Sequence, residues 1–252
     1  MKSIPLTNIT FDLPIYPKLL RKFRGAVIEN VMQHKPVFEA AGVNTEIFHN
    51  HKEQVAVLEG GEDPLPPGAD RFYDYPLVQY KVRHRKAGIL GIGKGAQAIQ
   101  LWLSMAGEHL TVDGQEVSLD VKYHHHSQWK PGLLEEVKFY RINKWLPFNK
   151  KNYDLWRQSP RLTDKVKLME KVIWGHLFHL GQGLEIDIPK DGLELYMSTI
   201  DLQTYQDSFG IKKLAFDITF GTNLNLPDEI GLGQNVSIGF GKVQRISKQQ
   251  PA

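Results

Sequence analysis

The sequence contains no cysteine among its 252 residues. This absence excludes disulfide bonds and thiolate metal sites, and it fits a reducing compartment. The chain also lacks a run of about 20 apolar residues, which a membrane-spanning helix requires. Its N-terminal segment, MKSIPLTNITFDLPIYPKLL, lacks the apolar stretch of about 7 to 15 residues that marks a secretory signal peptide. We therefore expect a cytoplasmic protein with no membrane partner.

A strong excess of either charge is also missing, since the formal net charge is +3 and the isoelectric point is near 8.8. Such mild basicity permits a polyanionic partner without requiring one. The positive charge is nevertheless clustered between apolar segments, at residues 18–24, 81–86, 144–151 and 212–214. Any one of these clusters is compatible with an ordinary solvated surface, whereas the set favours nucleic-acid binding. The length suits one large domain or two smaller ones.

The first half of the sequence alternates between strand-like and helix-like segments. Alternating apolar and polar residues or short β-branched runs predict strands, whereas apolar residues at intervals of three and four predict helices. In chain order these are strand 8–15, helix 16–33, strands 75–82 and 86–93, helix 95–110 and strand 115–125. This βαββαβ order is typical of a ferredoxin-like domain, which RRM-type RNA-binding sheets also use.

The second half follows SQWKPG (127–132), where proline and glycine indicate a linker. We expect a strand at 135–146, a helix at 161–184 capped by Thr163, and strands at 192–205, 211–226 and 235–246. The predicted fold class is therefore α+β, with two tandem ferredoxin-like (RRM-like) domains and antiparallel sheets, at residues 1–130 and 131–252. A C-terminal glycine-rich loop takes the place of the second helix in the second domain.

That loop lies in GLGQNVSIGFGKVQRI (231–246), which contains four glycines. Glycine permits positive φ angles and a close approach of the backbone to a phosphate. The segment nevertheless fails the P-loop pattern, because Val236 stands where the first glycine belongs and Val243 replaces the Ser or Thr. Val236 also occupies the third glycine position of G-x-G-x-x-G. The loop is therefore not a nucleotide loop.

A second candidate for nucleotide binding, GIGKGA (91–96), does satisfy G-x-G-x-x-A between a strand and a helix. A dinucleotide site also needs an acidic residue at the end of the next strand, about 20 residues further on. Asp113 and Glu116 belong instead to a turn-like segment, and repeating parallel βαβ units are missing. We interpret the motif as a tight turn that leaves Lys94 at a sheet end, where RNA phosphate could lie.

These motifs resemble a known family. The array before the last strand, made of Gly231, Gly233, Gly239, Phe240 and Gly241, resembles the glycine-rich loop of the CRISPR-associated repeat-processing endoribonucleases (Cas family six, RAMP superfamily). The tandem ferredoxin-like layout fits this family. The N-terminal domain of its shorter branch is similar to KFRGAVIENV (22–31), FHNH (48–51) and YPLVQYK (75–81). The resemblance spans nearly the whole chain, but non-catalytic relatives share the glycine loop.

The resemblance implies metal-independent cleavage of precursor CRISPR RNA within the repeat, without a cofactor. The 2′-hydroxyl attacks the adjacent phosphate and leaves a 2′,3′-cyclic phosphate and a 5′-hydroxyl. Histidine suits the acid and base roles, and lysine or arginine suits the charge that forms on the phosphate. The family usually places its histidine after the first helix, which here implies His49 or His51, with Lys52 as charge stabiliser. In an extended segment both rings share one face, so the choice between them stays open.

The implied partner is CRISPR repeat RNA, as precursor and as mature guide RNA. Other CRISPR effector subunits and a second copy of the chain are further partners that the sequence leaves open. The residues expected to bind RNA phosphates are Gly231, Gly233, Gln234, Gly239, Gly241, Lys242, Arg83, Arg85 and Lys94. Tyr73, Tyr75 and Tyr80 are candidates for orienting the phosphate or stacking on a base, although most strand aromatics pack in cores.

The remaining histidines have more ordinary interpretations. His34 closes the first predicted helix, where a histidine often interacts with the terminal carbonyls. YHHH (123–126) has no acidic residue at ligand spacing, and we expect it to face solvent or RNA. His176 and His179 have a spacing that can chelate a metal, but a third ligand is not evident. We therefore predict no metal site.

Two other functions remain open from the sequence. A non-catalytic RAMP-type subunit that holds guide RNA would have the same tandem domains and glycine loop. A nucleotide-dependent enzyme would use GIGKGA. Repeat binding without cleavage would favour the first, and thermal stabilisation by NAD or ATP would favour the second.

Overall fold

The computed structural model describes residues 3–49, 74–208 and 210–246. Its N-terminal half contains strands and helices in the expected order. They are β1 (Ile4–Pro14), α1 (Leu20–Gln33), α2 (Lys35–Ala40), β2 (Val78–Arg83), β3 (Lys86–Ile92), α3 (Lys94–Leu103), β4 (His109–Val112), β5 (Gln115–Ser118) and β6 (Val121–Trp129). Four strands form an antiparallel sheet in the order β2-β3-β1-β6, and β4 and β5 form a separate hairpin.

One face of this first sheet is covered by helices α1 and α3. Alternate residues of β1, such as Ile9 and Phe11, point into that core and are fully buried. The ring of Phe11 makes edge contacts with Phe23 of α1 and Trp102 of α3. Because strand side chains alternate between faces, Ile4 and Leu6 of β1 point the other way. They join a second core, which they share with apolar residues of the C-terminal half.

Within the described residues, the C-terminal half contains one sheet and two α-helices. Its elements are β7 (Leu133–Trp145), α4 (Lys150–Gln158), α5 (Leu162–Leu184), β8 (Leu195–Ser208), β9 (Ile211–Leu224) and β10 (Lys242–Ile246). The antiparallel sheet has the order β10-β7-β9-β8. Phe148 and Trp156 pack with Phe216 of β9 beside helix α5. The α+β class and the antiparallel sheets are therefore confirmed.

Several boundaries differ from those predicted. The last strand begins at Lys242 rather than at 235, because Val236–Ile238 forms a short 3-10 turn. Thr163 is not the cap of α5, since Arg161 holds that position and makes no capping hydrogen bond with its side chain. The segment 115–125 splits between β5 and β6, and the helix from 95 ends at Leu103. Helix α4 was not predicted at all.

The motif GIGKGA forms the turn between β3 and α3, as expected. Its neighbouring strands are antiparallel, which excludes the dinucleotide-binding alternative. Two of its glycines are required by close packing. A Cβ atom on Gly91 would lie 2.6 Å from the Gly95 carbonyl oxygen, and one on Gly95 would lie 2.1 Å from the Leu77 carbonyl oxygen. Among the described residues, no helix is both long and apolar enough to cross a membrane.

This packing predicts opposite effects for two glycine-to-alanine substitutions. Gly95→Ala should destabilise the protein by about 1–3 kcal/mol or more, because the backbone at Leu77 cannot yield cheaply. Gly25→Ala in α1 should stabilise it by about 0.5–1 kcal/mol, because nothing lies within 4 Å of the new Cβ and helices prefer alanine. Urea unfolding of both variants measures the difference, and equal effects would contradict this account.

Candidate RNA-binding and catalytic site

The glycine loop, residues 231–241, is attached to the N-terminal half by a closed set of buried hydrogen bonds. The hydroxyl of Tyr75 donates to the carbonyl oxygen of Gly231 over 2.8 Å. The amide of Gly231 donates to the side-chain oxygen of Gln79 over 3.0 Å, and the Gln79 side-chain amide donates back to the Tyr75 hydroxyl over 2.9 Å. The loop is therefore held by strand β2 and the residues before it.

Most glycines of the loop serve its internal packing. Gly241 has a φ of 65°, and a Cβ there would lie 1.8 Å from the Leu232 carbonyl oxygen. Gly233 has a φ of 104° and lies against the Trp145 ring. Gly231 leaves no room for a Cβ beside Val236. These three glycines are needed because the chain folds tightly on itself, which requires no bound ligand.

The backbone amides of the loop are also largely occupied. The amide groups of Gly239, Phe240 and Gly241 all donate to backbone carbonyl groups, at distances of 3.2–3.4 Å. The side chain of Gln234 accepts from Lys213 and donates to the backbone at Phe148. An anion at this loop would therefore meet side chains rather than a row of unpaired amides.

A groove of about 1160 Å³ lies between the loop and the start of α1. Gly239, Phe240 and Lys242 line it together with Tyr16 and Leu20. Its charged side chains are five cations and one acid: Lys18, Arg21, Lys81, Lys144, Lys242 and Asp207. Such an excess of positive charge favours a polyanion. We call it the glycine-loop groove.

His49 lies beside the same helix. It follows the 3-10 turn Thr45–Phe48, whose Phe48 packs against Phe38 in the N-terminal core. The guanidinium of Arg24 in α1 donates to the backbone carbonyl oxygen of His49 over 2.5 Å. The backbone of His49 is helical, with φ −90° and ψ −32°, so the expected extended segment does not begin there. His51 and Lys52 lie outside the described residues.

Arg24 and Tyr80 form a buried polar pair near His49. Burial lowers the pKa of Arg24 and raises the pKa of the Tyr80 hydroxyl, and the two side chains also interact electrostatically. Neither the Nε atom of Arg24 nor the Tyr80 hydroxyl has a hydrogen-bond partner among the described residues. Tyr80 packs under α1, where Phe23 contacts its ring.

Lys81 is the functional candidate that the sequence analysis missed. Its side chain is 1% exposed, and its Nζ atom has no hydrogen-bond partner in the described part of the chain. Burial lowers the pKa of Lys81 to about 7, against the opposing effect of Glu229, and Arg83 and Lys242 lower it further. The alternation of β2 could have indicated it, because Gln79, Lys81 and Arg83 must share one face.

Comparison with known proteins assigns the family. Residues 132–246 match the model of the Cas6b C-terminal domain, and residues 68–130 match the Cas6b N-terminal domain. Together these matches cover more than half of the chain. The chain belongs to the Cas6b family. The family is one of CRISPR RNA-processing endoribonucleases, as the resemblance of the glycine loop implied.

Solved structures share the fold of this Cas6b chain over nearly its whole length. A crystal structure of Cas6b superposes with a TM-score of 0.75 at 20% identity, covering 97% of this chain and 100% of the other. The crystal structure of a CRISPR RNA-processing endoribonuclease Cas6b gives a TM-score of 0.66 at 17% identity, with the same coverage. An uncharacterized protein of Methanocaldococcus jannaschii is 27% identical over 119 residues, or 46% of this chain and 78% of its own.

Three of the predicted RNA-binding residues of this Cas6b chain lie away from the glycine-loop groove. Arg83 is held by Glu229, by the Asn8 side chain and by the Ile9 carbonyl oxygen, and it lines a second groove on the open face of the first sheet. Arg85 belongs to the β2–β3 turn and has a φ of 62°. Lys94 pairs with Glu185 over 2.7 Å at the surface. Their proposed contacts with RNA remain predictions.

The other candidate side chains mostly have structural partners. The His176 ring accepts from the Trp145 indole over 3.2 Å, and His179 packs edge-on against Tyr75. His124 and His126 contact each other on β6. Within the described ranges, no three histidine, aspartate or glutamate side chains are grouped as metal ligands. Tyr73 lies outside the described residues, whereas Tyr75 and Tyr80 are buried.

The hydrogen bond from Tyr75 to Gly231, which anchors the glycine loop, leads to a prediction about stability. Tyr75→Phe leaves the buried Gly231 carbonyl oxygen without its donor, and we expect a loss of about 1–3 kcal/mol in the free energy of unfolding. The control Tyr123→Phe changes a tyrosine that is 53% exposed and should stay within about 0.5 kcal/mol. Urea unfolding measures both, and a Tyr75→Phe variant as stable as the control would refute the anchor.

Proposed function

We propose that this Cas6b-family chain binds precursor CRISPR RNA in the glycine-loop groove and cleaves it once within each repeat, without a metal ion. The 2′-oxygen loses its proton to a base and bonds to the adjacent phosphorus atom. The bond from phosphorus to the 5′-oxygen breaks, and that oxygen takes a proton from an acid. The products are a 2′,3′-cyclic phosphate and a 5′-hydroxyl.

His49 and His51 are the proposed acid and base, since imidazole exchanges protons near neutral pH. Lys52 is the proposed cation that stabilises the charge on the phosphate. The observation that carries this assignment is the position of His49. Its backbone is bound by Arg24, which lies one helical turn after Leu20 on α1, and Leu20 lines the groove.

The groove supports RNA as the substrate through its charge. Among the described residues, five basic side chains line it against one carboxylate, and the first turn of α1 contributes Arg21. Phosphate contacts of this kind position an RNA without reading its sequence. Solved structures that share this fold include one titled as a Cas6 product complex, with a TM-score of 0.52 at 12% identity.

A non-catalytic guide-RNA-binding subunit is the second candidate function. The observation that favours it is the burial around His49. The bond from the half-buried Arg24 to the His49 backbone would also suit a purely structural loop. Binding of repeat RNA without any cleavage would select this function.

The activity is tested with purified protein, EDTA and a repeat RNA from the CRISPR array of its own genome. We expect one cut per repeat and a product that carries a 2′,3′-cyclic phosphate, because the attacking group belongs to the RNA. A 2′-O-methyl group at the scissile nucleotide should abolish the cut. Cleavage that persists with this block, or that requires added Mg²⁺, would contradict the proposed chemistry.

The site is tested with the His49→Ala/His51→Ala double variant. Loss of one general acid or base typically lowers a rate by about 10²–10⁴-fold, so we expect at least a 100-fold slower single-turnover cleavage. RNA affinity should change little, which separates chemistry from binding. The control is His109→Ala, an exposed histidine on β4. Undiminished cleavage by the double variant would remove the assignment.

A further inference from the structure

Three basic side chains surround one carboxylate beside the glycine-loop groove, and two of them line that groove. Lys81, Arg83 and Lys242 all interact with one carboxylate, that of Glu229. Arg83 is satisfied by its bonds to Glu229 and to the backbone, and the Lys242 ammonium lies 4.0 Å from Glu229. Lys81 has electrostatic attraction to the same carboxylate but no hydrogen bond among the described residues.

Such an arrangement is costly for the free protein. Burying an ammonium group without hydrogen bonds is unfavourable, and two neighbouring cations increase the cost. A lysine in this position reduces the cost by releasing its proton. Lys81 contributes to the wall of the groove, and its position on the inner face of β2 prevents it from reaching bulk water.

A bound phosphate would favour the protonated form of Lys81. An opposite charge near a buried ammonium favours its protonated form, and a phosphate also supplies the missing hydrogen-bond acceptors. The backbone amides of Gly239 and Gly241 are not available to bind this phosphate, because they already donate to carbonyl groups within the protein. An anion in this groove would therefore meet basic side chains, among which Lys81 and Lys242 interact with each other electrostatically.

We propose that the glycine-loop groove holds an RNA backbone phosphate over Lys81 and Lys242, and that Lys81 takes up a proton as the phosphate binds. The inference rests on the proposed function, since it takes the phosphate from the repeat RNA. It adds a residue and a charge-coupling step that the family resemblance does not contain. Lys81 acts here as a binding residue and takes no part in the bond-breaking step.

The charged groups that face this position come from several elements. They are Arg83 on β2, Glu229 before the glycine loop, Lys242 on β10, Lys18 and Arg21 at the start of α1, Lys144 on β7 and Asp207 on β8. The part of the proton uptake at pH 8 that is lost in a Lys81 variant therefore reports on Lys81, because an α-amino group also titrates near this pH.

The test is calorimetric titration at pH 8 in buffers with different ionisation enthalpies. The probe is the repeat RNA with 2′-O-methyl groups throughout, which prevents 2′-hydroxyl attack. Because Lys81 is mostly neutral at pH 8, binding to the wild-type protein should take up close to one proton. The affinity should accordingly fall by nearly tenfold per pH unit above pH 7.

The variant Lys81→Met should abolish the proton uptake. It should also weaken binding about tenfold and reduce the slope of log affinity against log salt by about 0.7, the value for one phosphate on a single strand. The control Lys171→Met removes an exposed lysine of α5 and should keep the uptake of the wild type. His49→Ala should keep it as well.

The outcomes separate this inference from the proposed function. Tight binding without proton uptake, or uptake that persists in Lys81→Met, overturns the role of Lys81 and leaves RNA cleavage intact. Failure of the wild-type protein to bind repeat RNA overturns both. A folding defect is excluded by urea unfolding of Lys81→Met, which should be at least as stable as the wild type at pH 7, because an unpaired buried ammonium is removed.

The same unfolding experiment gives a readout without RNA. The folded-state pKa of Lys81 lies below that of the unfolded chain, so the unfolded state binds more protons between about pH 7 and pH 10. Wild-type stability should therefore rise with pH from 7 to 9 relative to Lys81→Met. Parallel stability profiles for the two proteins would show that Lys81 stays charged in the free protein, and would overturn the proton uptake.

Discussion

The structure depends on one face of strand β2, where three polar side chains at alternate positions attach the first sheet to the C-terminal half. Gln79 binds the amide of Gly231, Lys81 lies near Glu229, and Arg83 binds the Glu229 carboxylate. Buried polar groups require partners, so this face specifies a single position for the glycine loop. The loop in turn closes the groove, since Gly239, Phe240 and Lys242 form its wall.

This arrangement gives the glycines of the loop a role in packing rather than in phosphate binding. A glycine-rich loop that meets a polyanion is commonly expected to present its amides, as phosphate-binding nests do. Here Gly231, Gly233 and Gly241 permit close packing, and the amides near the groove donate to carbonyl groups within the protein. The positive charge comes from lysine side chains on other elements. The loop therefore shapes the groove, while basic side chains such as Lys18, Lys144 and Lys242 supply its attraction for anions.

The sequence predicts the fold well where local periodicity and tertiary packing agree. The β2–β3 hairpin, helix α5 and the long strands β7 to β9 all follow from the pattern of apolar residues. Helix α4 was missed because its apolar residues are few, and Trp156 is buried by contacts with Phe148 and Phe216 from other parts of the chain. The last strand was placed too early because Val236 and Ile238 also alternate, although they are buried by a 3-10 turn.

The candidate site was harder to predict than the fold, because it depends on contacts between residues that are distant in sequence. His49 stays a prediction that rests on its position after the first helix. The electrostatic surroundings of Lys81 include Glu229, which is distant in sequence. The two residues come close only when both halves fold. Within KVRHRK the sequence favours the arginines as phosphate ligands, yet Arg83 is committed to Glu229 and to β1. Charge alone does not distinguish a structural cation from a free one.

Helix α1 connects the glycine-loop groove, which both halves line, to the His49 segment. Leu20 and Arg21 border the groove, and Arg24 binds the backbone of His49 one turn later. Four residues of helix advance by about 6 Å along the axis, a spacing that the helix holds nearly constant. A phosphate fixed in the groove would thus lie at a set distance from the His49 segment. The position of the cut relative to the held phosphate would then be determined by the pitch of α1 rather than by the surrounding loops.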